Sequence, residues 1–152
     1  MVCLGNELRC DDGVGIHVGR LLEARGLPAG VALEYAPAAG LDLLEALASD
    51  AELVVLVDAL QTGAAPGSCR VIEAEAWSPP ASGRPTSWCH GASLAQVQEA
   101  ARLLRPGGGL PRVVVVGIEA AELGRFDTSP SAPVAAALLT AVEQVLRLVE
   151  EV

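Results

Sequence analysis

The sequence predicts an α/β domain with a mostly parallel sheet and helices on both of its faces. Three observations carry this. Segments of strand and helix character alternate in the order β-α-β-α-β-β-α-β-α, the pattern of a layered α/β architecture. Two apolar runs, Leu53–Val57 and Val113–Ile118, are continuous rather than alternating, as central strands covered on both faces require. The chain has 152 residues, 51% of them hydrophobic. That is enough for one well-buried core and too apolar for disorder, so a single domain over 1–152 is expected.

Val2–Leu4 opens the chain as a short strand, and Gly5-Asn6 turns it. A polar loop follows and ends in the pair Asp11-Asp12, one of which is expected to cap a first helix running to about Arg25. Val14, Val18, Leu21 and Leu22 fall at helical spacing, and Gly26 suits the stop. Val31–Ala36 is expected as a second strand and Leu41–Ala48 as a short helix. The run Leu53–Val57 ends in Asp58. The turn-rich stretch Gln61–Ser68 is too short for a helical crossover, so the next strand, Cys69–Glu73, is expected to run antiparallel. Ala76–Cys89 is a long loop rich in Pro, Ser and Gly, holding Trp77 and Trp88; loops of this length inside a domain tend to be functional. Ser93 and Gln96 match a capping box for a helix through Leu104, which Pro106–Gly109 ends. A last helix opens around Ser129–Ala132 and runs to about Val149, with Pro133 tolerated only in its first turn.

Composition excludes several functions. The net charge is −9, with no clustered base for a nucleic-acid groove. All ten basic residues are arginine, which removes a Walker-type phosphate loop and a Schiff-base lysine. Aromatics are 3%, too few for base-stacking platforms. Cys3, Cys10, Cys69 and Cys89 form no C-x-x-C pair, so they are expected as free thiols rather than a zinc knuckle. No apolar run comes near the ~20 residues of a membrane span and no secretory signal opens the chain, so a cytoplasmic protein with no membrane partner is expected.

In an open α/β sheet, ligands bind beyond the carboxyl ends of the parallel strands. Asp58 is expected at such an end, and the Asp11-Asp12 pair beyond the end of the first strand. Acids at a helix start are favoured by the helix dipole alone, by about 0.3–1 kcal/mol each; a role as metal ligand needs partners elsewhere. Of the two histidines, His17 lies inside the first helix and reads as structural. His90 ends the long loop shortly before a helix start. If the strand before that loop is antiparallel, the loop must return to the same edge. Its length easily spans a strand of ~20 Å, so His90 can meet Asp12 and Asp58. Two carboxylates and an imidazole make a mixed oxygen and nitrogen site suited to zinc, nickel or similar ions. The rival motifs are poor. Gly91-Ala92-Ser93 half-matches a nucleophile elbow, but no histidine follows it. Gly13-Val14-Gly15 lacks the third glycine of a dinucleotide fingerprint. Cys89 adjoins His90, and adjacent side chains point apart.

Several stretches, in this order, resemble the hydrogenase maturation endopeptidases: Gly5-Asn6 with Asp11-Asp12-Gly13-Val14-Gly15, Val55-Leu56-Val57-Asp58-Ala59, His90-Gly91-Ala92-Ser93-Leu94, Val113–Glu119 and Ser129-Pro130. The resemblance implies a three-layer α/β/α fold with a five-stranded mixed sheet of order 2-1-3-5-4, strand 4 antiparallel. It implies that Asp12, Asp58 and His90 are both the catalytic and the metal-contacting residues. The implied substrate and partner is the precursor of a nickel–iron hydrogenase large subunit, trimmed of a short C-terminal peptide once nickel is in place. The nickel arrives with the precursor, and zinc or cadmium can stand in for it in crystals. A monomer or weak oligomer is expected. Two positions depart from the family's pattern: Cys3 replaces the first glycine of Gly-x-Gly-Asn, and Trp88-Cys89 replaces small hydroxyl residues before the histidine. A non-catalytic nickel- or zinc-binding accessory protein is the alternative, and a flavodoxin-like ligand-binding domain a more distant one.

Overall fold

The computed structural model describes residues 1–36, 41–76 and 94–152. Its elements are β1 (Val2–Leu4), α1 (Val14–Arg25), β2 (Glu34–Ala36), α2 (Leu41–Leu47), β3 (Leu53–Leu60), β4 (Cys69–Glu73), α3 (Leu94–Leu104), β5 (Arg112–Glu119) and α4 (Ala132–Glu150), with short 3-10 turns at Cys10–Gly13 and Ala74–Ala76. The five strands form one sheet of order β2-β1-β3-β5-β4. β1, β2, β3 and β5 are parallel, and β4 runs antiparallel beside β5. This is the topology that the resemblance implies, and the reversed strand is the one that the short Gln61–Ser68 connection requires.

The continuous hydrophobic runs divide residue by residue between two cores. Side chains of a strand alternate between faces. Val55, Val57 and Ala59 of β3 join Val114, Val116 and Ile118 of β5 under α1 and α4. Val54 and Leu56 join Val113 and Val115 under α2 and α3. Both faces are therefore dry, as continuity predicts. Each fully buried Val or Leu contributes roughly 1.5–3 kcal/mol.

Three boundaries differ from the sequence expectation. β2 is only Glu34–Ala36, because a turn closes Val31 N–H onto Pro28 O (3.2 Å) and pairing with β1 starts at Glu34. β3 continues past Val57 to Leu60, so Asp58 lies inside the strand and not after it. The first helix begins at Val14 behind a 3-10 turn, and neither aspartate caps it with its side chain. α4 also corrects an expectation. With 19 residues and a mean hydropathy of 1.5, it is long and apolar enough to cross a membrane by length and composition. Here its stripe Val134, Ala137, Ala141, Val142, Val145 and Leu148 is buried in the α1-side core, at the spacing of one helical face.

Two glycines let the first loop collapse onto the sheet. Gly5 has φ +128, and a Cβ there would fall on the carbonyl oxygen of Asp12. A Cβ on Gly15 would collide with the carbonyl oxygens of Leu4 and Val57. The first turn of α1 thus rests on the carboxyl ends of β1 and β3, whose backbone offers no way to yield. Gly15→Ala is expected to destabilise the protein by about 1–3 kcal/mol, the usual range for overpacking. Chemical denaturation would show it as a lowered midpoint at unchanged slope.

Candidate active site

The carboxyl ends of the parallel strands form a stepped rim: β1 and β2 stop level with Asp58, and β3 and β5 run two residues further, to Leu60 and Glu119. Leu56 of β3 is level with Val2 of β1, so Asp58 is level with Leu4, the last residue of that strand. Asp58 is 1% exposed, and its Oδ1 accepts the Ala59 N–H at 2.7 Å. By alternation it belongs to the face of Leu56, the α2–α3 side. Opposite it on β5 stands Gly117, and the space a Cβ would take there is filled by the Leu60 side chain.

Asp12 reaches the same rim from the other layer. It lies in the 3-10 turn that leads into α1, is 2% exposed, and donates its N–H to Arg9 O at 3.1 Å. Gly5 holds the Asp12 backbone against the exit of β1, and Gly15, one turn on, rests on Leu4 and Val57. The glycine contacts therefore place Asp12 over the adjacent strand ends β1 and β3, beside the strand that carries Asp58.

Asp11 has a different task from its neighbour. Cys10 adopts φ +51, a left-handed conformation costing roughly 1–2 kcal/mol in a residue with a Cβ. Cys10 N–H is held by Asp127 O at 2.7 Å and Asp11 N–H by Glu122 O at 3.2 Å. The Asp11 carboxylate then accepts a long hydrogen bond from the Cys10 thiol, at 3.7 Å to Oδ1, and four from N–H and O–H donors. Ala121 N–H, Glu122 N–H and the Ser131 hydroxyl reach Oδ2, each at 2.8 Å, and Ser131 N–H reaches Oδ1 at 2.6 Å. Burial by itself would push this carboxyl up. The donors from Ser131, Glu122 and Ala121 outweigh burial and hold it below the ordinary carboxylate range. Asp11 is thus a staple fixing the segment between β5 and α4.

A fourth buried carboxylate belongs to Glu119, at the end of β5 and 2% exposed. Its Oε1 accepts Thr62 N–H and Gly63 N–H at 2.7 and 2.8 Å, and its Oε2 accepts the Thr62 hydroxyl at 2.8 Å. Sequence reasoning assigned Glu119 no role. The only signal was its position directly after the buried run Val113–Ile118.

His90, with Cys89, Trp77, Trp88 and the capping Ser93, lies outside the described residues. Among the described residues no group of three His, Cys, Asp or Glu side chains could hold a metal ion. His17 is half-buried within α1, as expected of a structural residue; its Nε2 is buried without a hydrogen-bond partner among the described residues. Cys3 is buried, and burial, the dominant influence on it, pushes its thiol up to about 12. That leaves it protonated and unreactive. Among the described residues, a cavity of about 520 Å³ lies at the opposite rim, between Met1, Gly30, Glu34, Leu53 and Val149. A smaller one of about 390 Å³ flanks the acidic rim, between Gly5, Leu8, Ile16, Arg20 and Tyr35. None of the buried carboxylates Asp11, Asp12, Asp58 and Glu119 lines either cavity, so volume does not decide where the chemistry lies.

A three-layer α/β/α domain of this strand order, with two buried aspartates near its carboxyl rim, defines a class of small α/β proteins. Within that class the chain belongs to the hydrogenase maturation protease family, whose model (HycI: hydrogenase maturation protease) matches residues 16–148. Among solved structures, the hydrogenase maturating endopeptidase HybD from E. coli shares 26% identity and a TM-score of 0.77, over 99% of this chain and 90% of that one. The hydrogenase 2 maturation peptidase of a Thaumarchaeota archaeon shares 28% identity and a TM-score of 0.63, over 97% and 95%. The [NiFe] hydrogenase maturation protease HybD from Thermococcus kodakarensis, at 24% identity, matches in fold with a TM-score of 0.73, over 97% and 95%. No curated protein sequence matches the chain.

Proposed function

We propose that this protease is an endopeptidase that removes the C-terminal extension from a nickel-loaded precursor of a nickel–iron hydrogenase large subunit, acting in the cytoplasm as a monomer or weak oligomer. What supports the proposal is that Asp12 and Asp58, both buried, lie on neighbouring elements near the carboxyl ends of the strands in a chain of this family. The run of α3 supports it. Arg105, just past the end of α3, bonds Ser49 O and Asp50 at the opposite rim. Eleven residues of helix span ~16 Å, so α3 opens at the acidic rim with Leu94, shortly after His90 in the sequence.

Nickel enters as part of the substrate. Asp12, Asp58 and His90 offer oxygen and nitrogen donors that complete a coordination sphere begun by the precursor's thiolates. So held, the ion supplies Lewis acidity at the scissile carbonyl. Asp58 takes a proton from the attacking water and returns it to the departing amine, as general base and then acid. Water adds to the carbonyl carbon, the C–N bond breaks, and the products are a new carboxylate on the large subunit and a free peptide.

Incubation with purified precursor tests this. Nickel-loaded precursor should give a shortened product by mass spectrometry, and nickel-free precursor should stay intact. His90→Ala should lower cleavage by about 10²-fold or more, the scale of a lost acid–base or metal-orienting group. A stable, uncut complex with the wild type would instead identify an accessory protein.

A further inference from the structure

We propose that Glu119 is a positioning residue for the hydrolytic site, clamping the segment between β3 and β4 so that Asp58 keeps its place. The proposal rests on the function assigned above and adds a residue to it. Glu119 holds both ends of that segment. Its carboxylate takes Thr62 N–H, Gly63 N–H and the Thr62 hydroxyl near the start. Its backbone takes the far end: Gly67 N–H donates to Glu119 O at 2.8 Å, and Glu119 N–H donates to Ser68 O at 2.9 Å. Gly67 is also pressed against the carbonyl of Pro133 in the first turn of α4, beside Ser131, which Asp11 binds. The two buried carboxylates thus brace one continuous path, from the exit of β3 through the start of α4 to the turn that carries Asp12.

The exit of β3 matters because Leu60 fills the void over Gly117, the residue opposite Asp58. Releasing Thr62 and Gly63 frees Leu60 to leave that void, and Asp58 then loses its lateral support. A displacement of about 1 Å at a reacting group can cost ~10²-fold in rate.

A glutamine at this position can keep every contact. Its carbonyl oxygen accepts the two N–H groups, and its amide donates to the Thr62 hydroxyl, which can accept. A positional role therefore predicts rescue by the conservative variant, and a role for the negative charge predicts none. On nickel-loaded precursor, Glu119→Gln should keep kcat and KM within about threefold of wild type, with an unchanged pH profile. Glu119→Ala should lose roughly 10–100-fold in kcat with little change in KM, and Thr62→Val a smaller part of the same loss. Amide exchange at Thr62 and Gly63 reads the clamp without substrate: protection should persist in Glu119→Gln and fall by about tenfold or more in Glu119→Ala.

Glu119→Gln as impaired as Glu119→Ala, with a shifted pH profile, would overturn the proposal. So would a folded Glu119→Ala with wild-type kcat. If Glu119→Ala fails to fold, Thr62→Val decides, and wild-type kcat there overturns it. A wild-type enzyme that leaves the precursor intact would overturn the functional reading itself, while the exchange data would still accept or reject the clamp.

Discussion

Replacing Asp12 by Asn is expected to abolish cleavage of the nickel-loaded precursor, a loss of about 10³-fold or more, while the protein stays folded. The substitution keeps the size of the side chain and one of its oxygens. It removes the negative charge that makes a carboxylate a strong ligand for a divalent ion. Asp12 N–H and O bind the turn through Arg9 and the close approach of Gly5, and those backbone contacts survive the change. The loss should appear in turnover and in retention of the nickel-loaded precursor, with the circular dichroism spectrum unchanged. Normal processing by the variant would remove Asp12 from the site.

The neighbouring substitution, Asp11→Asn, is expected to act first on stability: a large loss there, with a smaller fall in kcat as the turn that carries Asp12 loosens. Four N–H and O–H donors converge on the Asp11 carboxylate. An amide presents one acceptor oxygen and one donor group, so at least one buried N–H then faces another donor. Hydrogen bonds to a charged acceptor are worth roughly 1.5–3 kcal/mol, and a loss of about 2–4 kcal/mol in urea denaturation is expected. The pH dependence follows from the lowered carboxyl. A depressed folded-state value means that the stabilisation is complete above the unfolded value, near pH ~4, and is lost as pH falls below it toward the folded value. Wild-type stability should therefore decline below about pH 4, and Asp11→Asn should lack this component.

These two predictions separate adjacent residues that composition and periodicity leave equivalent and that the family resemblance divides by singling out Asp12. Both aspartates have the chemistry of a helix start, and no periodicity tells them apart, because the left-handed turn at Cys10 is a property of tertiary contacts with Asp127 and not of local propensity. The sheet was far more legible. Continuous runs such as Leu53–Val57 reveal strands covered on both sides, and the short Gln61–Ser68 connection reveals the reversed strand. The extension of β3 through Asp58 to Leu60 was not legible, since a polar residue in an apolar run looks like its end. In the fold Asp58 is carried on the strand by full pairing with β5. Glu119 escaped notice for a related reason: its donors, Thr62 and Gly63, are distant in sequence and lie in a segment that reads only as a turn.

The resting of α1 on two carbonyl oxygens through Gly15 has a consequence for the spacing of the chain. Successive residues of a helix are turned by about 100° around its axis. Asp12 lies in the 3-10 turn that leads into that helix. One residue inserted or deleted between Asp12 and Gly15 would therefore turn the aspartate by a comparable angle and pull its backbone away from Gly5, while Gly15 stayed anchored. The count of residues between these two is therefore as strict a specification as their identity, and a change of length there should be harder to tolerate than most changes of side chain.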